Sequence, residues 1–453
     1  MANTGLEDET AFSSAGTTRR GIAGRLADLV REQLGRELPV GLRLWDGSRS
    51  GPADGPVVVI RSSRAVRYLM CGRAELGLAR AYVAGDLDVD GDLQEGLRRC
   101  LSFVREVRDH EFDLTRVQWP RVLSLAARLG ALGLPPRRPP GEARLSGRRH
   151  SSTRDRAAIA HHYDVGNDFY AAVLDPTMSY SCGYWMSEAP DYDLADAQRD
   201  KLDLICRKLG LTRGDTLLDV GCGWGALIIH AAERFGVQTT GVTNSGSQYT
   251  FVRERLTSRD LTRTVTVVNQ DYRRPTGAGP YDAVASIEMG EHVGDENFPA
   301  YCSMLHTALK PGGRLLLQQM SRGEKAPGGG AFIERYIAPD MTMRPIPRTL
   351  RFLEEAGFEI REVVSLREHY TATINAWLRR LEDGWDDVVY RHGARRARVW
   401  RLYLAGGALA FEQNRMSVHQ ILAVRTGPDG DSGIAPVGDR SGVSWNMHQG
   451  VSP

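Results

Sequence analysis

The sequence predicts an α/β fold, with helices covering a parallel sheet, for the larger part of the chain. Short apolar runs typical of buried strands alternate with helical runs, and this alternation favours a parallel sheet with helices on both faces. The strand-like runs are residues 216–220, 239–242, 265–269, 283–287 and 314–318, and helices are predicted from Ala226, Ser247 and Phe298. In such a sheet the ligand crevice lies outside the carboxyl ends of the strands. The residues that follow each strand are therefore candidates for ligand contacts.

A small α+β domain is predicted ahead of that sheet, over residues 19–134. It begins with an amphipathic helix in which Ile22 and Leu34 share the apolar face, and continues with strand-like runs at 41–45 and 57–60. Residues 1–18 are small and polar without periodicity, which predicts a disordered tail.

A basic linker is predicted between the two domains. Residues 135–155 combine Pro, Gly and clustered Arg, a composition typical of an exposed connection. Such a linker either attracts an anionic membrane surface, at about 1 kcal/mol per nearby Arg, or is merely solvated. The large domain then covers residues 156–428, and residues 429–453 are predicted to be a flexible tail.

Composition excludes several classes of protein. The 58 basic and 56 acidic residues give a net charge of only +2, so no global field favours a nucleic acid partner. No apolar run approaches the roughly 18 residues that cross a bilayer. The six cysteines form no CxxC pair, so no metal site is predicted, and no signal peptide precedes them. We expect a cytoplasmic protein that contacts lipid, if at all, from the surface.

An apolar strand leads into a glycine-rich turn at Asp219-Val220-Gly221-Cys222-Gly223-Trp224-Gly225. Glycines allow a tight turn and a close approach of ligand to the start of the next helix. The Gly-x-Gly-x-Gly spacing, with an acidic residue two positions earlier, resembles the first motif of class I methyltransferases, which use S-adenosylmethionine. The alternative is a tight turn that binds no ligand.

Further residues at strand ends fit the same methyl donor. Thr243 ends the second strand, where a ribose would be held, and Gln248 follows on the next helix. The residues 270–272 end the third strand, where an adenine would be bracketed. The predicted donor contacts are Tyr180, Ser181, Asp219, Gly221, Gly223, Thr243, Gln248, Gln270, Asp271 and Tyr272.

Segments around the turn resemble the cyclopropane-fatty-acyl-phospholipid synthases. These segments are Ala160-His161-His162-Tyr163, Tyr180-Ser181-Cys182-Gly183, Gly290-Glu291-His292-Val293-Gly294 and His369-Tyr370. The similarity is strong over residues 150–425 and fainter over 75–87. It implies a Rossmann-like methyltransferase domain with helical acyl-binding insertions, acting on the cis double bond of an unsaturated phospholipid acyl chain. It also implies peripheral association with the inner face of the cell membrane.

The implied chemistry needs a dry pocket, because an alkene is a weak nucleophile and its methylation produces a carbocation. Aromatic faces stabilise a cation without capturing it. The candidates, each of which could equally be core, are Tyr163, Phe169, Tyr180, Tyr184, Trp185, Tyr370 and Trp377.

In that family the base is a bound bicarbonate held by five residues, and the resemblance places them at Cys182, Glu291, Gln318, Met320 and Tyr370. Three of these match the family, whereas Gln318 and Met320 replace a His and an Ile. Glu291 is expected to orient and tune the base, or else to cap the turn that follows it. Cys182 is expected to act through its backbone, since no activating base lies beside it in sequence.

The neutral amide of Gln318 can bind bicarbonate but cannot become cationic as His can. The Gln-Gln-Met site resembles a branching subgroup, so we expect a methylene product, 10-methylene from oleoyl, rather than a cyclopropane. An amine N-methyltransferase and a non-enzymatic scaffold are further alternatives. A partner reductase and a homo-oligomer are possible partners that the sequence leaves open.

Overall fold

A computed structural model describes residues 21–71, 74–109, 119–131, 133–163, 165–274, 276–323 and 329–434. The predicted N-terminal tail and residues 435–453 of the predicted C-terminal tail lie outside these ranges. The chain divides into two compact units, one formed by residues up to 67 together with 86–136, the other by 68–85 together with the residues from 137 onward.

The first unit contains a small mixed sheet in its described residues. Its strands are β1 (Gly41–Leu44), β2 (Arg49–Ser50), β3 (Val57–Ile60) and β4 (Leu87–Asp90), in the order β2-β1-β3-β4, with only β1 and β3 parallel. The helices in this part of the chain are α1 (Ile22–Leu34), α2 (Ser63–Met70), α3 (Ala74–Ala84), α4 (Leu93–Asp109) and α5 (Trp119–Arg128). Helix α1 covers the segment in which the apolar periodicity predicts a helix.

Helix α3 belongs to the second unit, which differs from the predicted domain of residues 19–134. Tyr82 is buried and lies under the guanidinium of Arg398, 4.1 Å from the ring centre. Arg80 Nε donates to Glu142 Oε1 over 2.7 Å. These contacts join α3 to segments far away in sequence. Amino-acid composition alone does not show with which unit a helix packs.

The predicted linker is partly engaged with acidic residues. Arg149 and Arg154 both bind Asp340, with Nε to carboxylate distances of 2.8 and 2.5 Å. Arg148 pairs with Glu296 over 2.8 Å. These arginines are therefore already neutralised within the second unit, and only part of the segment matches the exposed tether that the composition predicts.

The second unit is built on a seven-stranded sheet in the order β10-β11-β9-β8-β5-β6-β7. The strands are β5 (Thr216–Val220), β6 (Gln238–Thr243), β7 (Val265–Asn269), β8 (Tyr281–Ile287), β9 (Leu309–Ser321), β10 (Phe358–Ser365) and β11 (Ser417–Arg425). The helices are α6 (Ser152–Tyr163), α7 (Asn167–Val173), α8 (Leu194–Leu209), α9 (Ala226–Phe235), α10 (Gly246–Ser258), α11 (Phe298–Ala308), α12 (Ala331–Tyr336), α13 (Ile346–Glu355), α14 (Arg367–Asp383), α15 (Trp385–His392) and α16 (Ala394–Glu412). Among the described helices, none is long and apolar enough to cross a membrane.

Strands β5 to β9 run parallel, which confirms the α/β class that the alternating pattern predicts. Strand β11 lies antiparallel between β9 and β10, so the sheet is not wholly parallel. Helices α14, α15 and α16 stand between β10 and β11 in sequence, and α14 packs against α16. They form a helical insertion between these two strands, and a role of this insertion in acyl binding stays a prediction.

The strand order places a ligand crevice at the carboxyl ends of β5 and β8. Strands β6 and β7 lie on one side of β5, whereas β8 and β9 lie on the other, so the direction of winding reverses beside β5. Buried apolar side chains such as Leu217, Leu218 and Val284 fix these strands in the core. The first residues after β5 and β8 consequently face each other across the crevice.

Candidate active site

The turn after β5 requires glycine at its first position. Gly221 has a φ of 91°, which side chains rarely adopt, and a Cβ added there would lie 2.7 Å from Met289 Cγ. The backbone N–H groups of Gly221 and Cys222 both donate to the carbonyl of Val242 over 2.9 Å. The turn is thereby held against β6, and its inner surface remains open to a ligand.

All ten predicted donor contacts line one cavity at the carboxyl ends of β5, β6, β7 and β8: Tyr180, Ser181, Asp219, Gly221, Gly223, Thr243, Gln248, Gln270, Asp271 and Tyr272. Two of them position each other, since Thr243 Oγ1 donates to Gln248 Oε1 over 2.8 Å. The structure brings the ten residues together, and their individual contacts with a donor remain predictions.

The cavity contains buried acceptors that suit a ligand rich in donors. Asp219 Oδ1 and Asp271 Oδ2 are buried and have no hydrogen-bond partner within the described part of the chain. Burial raises the pKa of Asp219 to about 7, against the opposing charge of Lys201. S-adenosylmethionine carries an ammonium group, ribose hydroxyls and an adenine amine, so it fits these open oxygens.

Lys201 is a member of this site that the sequence motifs miss. It lies on α8 with 2% exposure, lines the cavity and donates from Nζ to Ser181 Oγ over 3.1 Å. Burial lowers its pKa, whereas the charges of Asp175 and Glu288 raise it. A signal was available, since the chain contains only four lysines, and a buried one requires acidic neighbours.

The predicted acceptor residues converge on Glu288, a carboxylate that sequence reasoning also misses. Its Oε1 accepts from the backbone N–H of Cys182 over 2.9 Å and from Gln318 Nε2 over 2.7 Å. Its Oε2 accepts from the hydroxyl of Tyr370 over 2.5 Å. Gln420 on β11 orients the amide by donating to Gln318 Oε1 over 2.9 Å.

Glu291 binds a different hydrogen-bond donor. Its Oε1 accepts from the backbone N–H of Met320 over 2.6 Å, and its buried Oε2 has no partner in the described residues. Burial and the negative charge of Glu288 raise the pKa of Glu291 to about 8. Burial also raises the pKa of Glu288, although its hydrogen bonds from Tyr370, Cys182 and Gln318 act in the opposite direction.

The predicted bicarbonate does not fit this arrangement. The donors that the resemblance assigns to it, Cys182, Gln318 and Tyr370, already bind the carboxylate of Glu288. The resemblance expects Glu291 beside these hydrogen-bond donors, whereas the carboxylate that they bind is that of Glu288, and the role of Glu291 stays a prediction. The signal for Glu288 was its place directly after β8, at the strand end where a ligand crevice is expected.

Cys182 contributes its backbone to this cluster. Burial raises the pKa of its thiol well above the usual range, and Sγ donates to the carbonyl of Gly183 over 3.2 Å. A thiol held protonated is a poor nucleophile, in keeping with the expected backbone role. Among the described residues no group of His, Cys, Asp and Glu could hold a metal ion.

Most of the predicted aromatic side chains form a continuous wall next to Glu288. The rings of Tyr180 and Trp377 lie 5.2 Å apart, and Tyr370 lies 6.0 Å from Trp377 and 4.5 Å from Phe411. Tyr163 and Phe169 belong to the same group of rings through contacts with Tyr170. Tyr184 instead stacks on His369, and Trp185 packs at a tilt against Tyr192.

The reversed strand order, the glycine-rich turn and the cavity beside it define a class I methyltransferase fold. The chain matches the family model of mycolic acid cyclopropane synthetase over residues 150–421. It is 37% identical over 409 residues to a probable fatty acid methyltransferase of Mycobacterium tuberculosis, covering 87% of this chain and 93% of that relative. A tuberculostearic acid methyltransferase, UfaA1, of the same organism is 30% identical over 436 residues, covering 89% and 92%.

A solved structure agrees with these relatives. The cyclopropane synthase MmaA2 from Mycobacterium tuberculosis superposes with a TM-score of 0.56 at 28% identity, covering 59% of this chain and 97% of that one. The chain therefore belongs to the mycolic acid cyclopropane synthetase family. It is an S-adenosylmethionine-dependent C-methyltransferase of fatty acyl chains.

Proposed function

We propose that this enzyme methylates the cis double bond of an unsaturated phospholipid acyl chain and releases a mid-chain methylene branch, 10-methylene from oleoyl. The observation that carries the proposal is the carboxylate of Glu288, which lines the donor cavity and accepts a hydrogen bond from Tyr370 of the aromatic wall. The similarity to a tuberculostearic acid methyltransferase favours a branched product.

The donor cavity is proposed to hold S-adenosylmethionine, which supplies an electrophilic methyl group on a sulfonium. The open acceptors Asp219 and Asp271 bind its donor groups, and the turn at Gly221 lets it approach the start of α9. Thr243 and Gln248, joined by their own hydrogen bond, hold a fixed orientation at the end of β6.

The aromatic wall is proposed to serve the acyl side. Methylation of the double bond leaves a positive charge on the chain, and the faces of Tyr180, Tyr370 and Trp377 stabilise this charge without forming a bond to it. Because the rings of Tyr370 and Trp377 are buried, water is kept from the cation. Their burial thus favours loss of a proton over addition of water.

The product depends on which proton leaves. A hydride shift followed by loss of a proton from the new methyl group gives the methylene, whereas loss without the shift closes a cyclopropane. The neutral amide of Gln318, oriented by Gln420, distinguishes this site from one with a His at that position. We therefore prefer the methylene, and ring closure is the alternative product.

Association with an anionic membrane surface is part of the proposal. Arg137, Arg138 and Arg144 are exposed, whereas the neighbouring Arg149 and Arg154 are bound to Asp340. The exposed arginines would attract the inner face of the cell membrane, where the substrate resides. A reductase acting on the methylene group would be the partner that completes a methyl branch.

The test is to express the protein in cells that contain oleoyl phospholipids and to identify the new fatty acid by mass spectrometry. We expect an acyl chain that has gained one carbon, present as a =CH₂ branch on a carbon in the middle of the chain. A cyclopropane would overturn the preferred product, and methylation of an added amine with no change in lipid would overturn the acyl substrate. Gln318→His is expected to change the ratio of methylene to ring, and an unchanged ratio would remove that residue from control of the outcome.

A further inference from the structure

The three donors assigned by resemblance to a bicarbonate surround the carboxylate of Glu288. A carboxylate and a bicarbonate present the same pair of oxygens to hydrogen-bond donors. Cys182 and Gln318 bind one oxygen of Glu288, and Tyr370 binds the other. The carboxylate of Glu288 thus occupies the position that the family resemblance assigns to a bicarbonate bound from solution.

We propose that Glu288 is the proton acceptor of the methylation reaction and that the enzyme works without bicarbonate. This inference rests on the proposed function, since it names the base of that same reaction. It concerns one residue, at the junction of β8 and the short 3-10 helix formed by Gly290–His292.

The backbone places Glu288 in this position at a conformational cost. Its φ of 53° lies in the left-handed region, which is uncommon for a side chain other than Gly, Asn or Asp. Its N–H donates to the carbonyl of Gln318 over 2.7 Å, so the junction is held to β9. A glutamate kept in a conformation that suits glycine indicates a task for its side chain, because residues of this kind cluster at functional sites.

Glu288 borders both the donor cavity and the aromatic wall. It lines the donor cavity together with Asp219 and Lys201. Through Tyr370 it adjoins the aromatic wall, where the ring of Tyr370 packs 4.5 Å from that of Phe411. A base that removes a proton from the transferred methyl group, or from a carbon beside it, must stand at this junction.

The charged neighbours leave Glu288 suited to accept a proton. Lys201 and the hydrogen bonds from Tyr370, Cys182 and Gln318 favour its ionised form, whereas burial and Glu291 oppose that form. Its three donors also fix the direction of the carboxylate before the substrate arrives, so little reorganisation accompanies the transfer.

The methylene product forms through methyl transfer, a hydride shift and loss of a proton. The electron pair of the double bond forms a carbon–carbon bond to the donor's methyl group while the sulfur–carbon bond breaks, leaving the neutral thioether and a cation on the second alkene carbon. A hydride moves with its electron pair from the methylated carbon to that cation. A C–H bond of the new methyl group then breaks, its proton goes to Glu288, and its electron pair forms the methylene double bond. Glu288 returns the proton to solvent before the next turnover.

The test compares turnover with and without bicarbonate, using purified full-length protein, labelled S-adenosylmethionine and vesicles of oleoyl phospholipid. Wild type is expected to keep its rate in a buffer purged of carbon dioxide. Glu288→Gln is expected to lose about 100-fold or more in rate, because the amide fills the space but accepts a proton poorly. A wild-type rate that collapses without bicarbonate, or a Glu288→Gln variant with full activity, would overturn the inference.

Glu288→Gly is a second variant that suits the local backbone, since glycine adopts the positive φ without strain. Removing the side chain leaves three donors without their acceptor, so added bicarbonate is expected to restore part of the rate in this variant and none in Glu288→Gln. If Glu288→Gly still binds S-adenosylmethionine but bicarbonate does not restore its rate, the idea that the Glu288 carboxylate replaces bicarbonate is contradicted.

Glu355→Gln, an exposed glutamate on α13, is the matched control and should behave as wild type. Donor binding measured by calorimetry on each variant separates a fold defect from a loss of the base. Absence of any lipid methylation by wild type, in either buffer, would instead sink the proposed function, so the two failures are distinguishable.

Discussion

The donor half and the acceptor half of this site are assembled in different ways. Most of the donor half consists of strand ends: eight of its ten predicted contacts lie at the end of β5, β6 or β7 or within a few residues of it, as Gly221 and Thr243 do. The other two, Tyr180 and Ser181, lie between α7 and α8. The acceptor half joins Cys182, Glu288 and Tyr370 from segments that are roughly one hundred residues apart in sequence. Local sequence therefore specifies the first half, whereas tertiary packing specifies the second.

This difference teaches where substitutions should act. A change in the turn after β5 should alter donor affinity, since the backbone itself forms the binding surface. A change in a residue that donates a hydrogen bond to Glu288 should alter the rate of the chemical step and leave the affinity for S-adenosylmethionine intact. The predictions for Gly221 and Tyr370 separate these two effects.

The largest effect is expected from Gly221→Ala. The new Cβ would lie 2.7 Å from Met289 Cγ and impose a φ of 91° on a non-glycine residue, displacing the turn. A displacement of this kind at a binding surface is expected to weaken donor affinity about 100-fold. Gly214→Ala is the control, because Gly214 has a φ of 92° with nothing within 4 Å of an added Cβ. Calorimetry with S-adenosylmethionine checks both variants, and equal losses in the two would mean that backbone strain alone is responsible.

A smaller effect, confined to the acceptor half, is expected from Tyr370→Phe. It removes one hydrogen bond to the partly buried carboxylate of Glu288, which is worth about 1.5–3 kcal/mol, so kcat should fall about 10-fold or more at unchanged affinity for S-adenosylmethionine. Tyr336→Phe is a matched control, since Tyr336 donates to Glu142 over 3.2 Å away from the cavity and its loss should not change kcat. Loss of donor affinity in Tyr370→Phe would contradict the separation of the two halves.

A different kind of effect, on stability rather than on turnover, is expected at Glu291 and depends on pH. Its pKa of about 8 in the folded protein lies above that of an unfolded glutamate, so the folded state retains the proton longer. Stability is unaffected at pH below the unfolded pKa, and falls as pH rises from there to about 8. Glu291→Gln removes this ionisation, and its unfolding midpoint should exceed that of wild type at pH 9 and match it near pH 4.

Thermal unfolding across that pH range measures the difference, which corresponds to about 2–4 °C for each kcal/mol in a domain of this size. Glu355→Gln, an exposed glutamate, should follow the wild-type curve throughout. A Glu291→Gln variant whose curve parallels that of wild type would show that Glu291 is ionised in the folded protein.

The sequence predicts the donor half well because its signals are local. The turn and the residues after β6 and β7 supply eight of the ten donor candidates that line the cavity, whereas Tyr180 and Ser181 lie between α7 and α8. Strands β10 and β11 were not predicted, and they complete the sheet only because β11 lies antiparallel between β9 and β10. Pairing between segments so far apart is decided by packing, which periodicity alone does not encode.

Glu288 was missed for a related reason. The resemblance directs attention to Glu291, three residues later, and nothing in the local sequence reveals the positive φ that turns Glu288 toward Cys182. The strand-end rule does point to it, since it directly follows β8. Lys201 was missed because no sequence motif identifies a buried lysine on a helix, although the small number of lysines in this chain was visible.

The antiparallel insertion of β11 has a consequence for biosynthesis. The chain leaves the ribosome from its N-terminus, and β5 to β9, with the donor cavity, can form once residue 321 has emerged. Gln420, which orients the amide beside Glu288, arrives only with β11. The nascent protein would thus be able to hold its methyl donor before it possesses an ordered base, and its reactive machinery would be completed only once β11 has been synthesised.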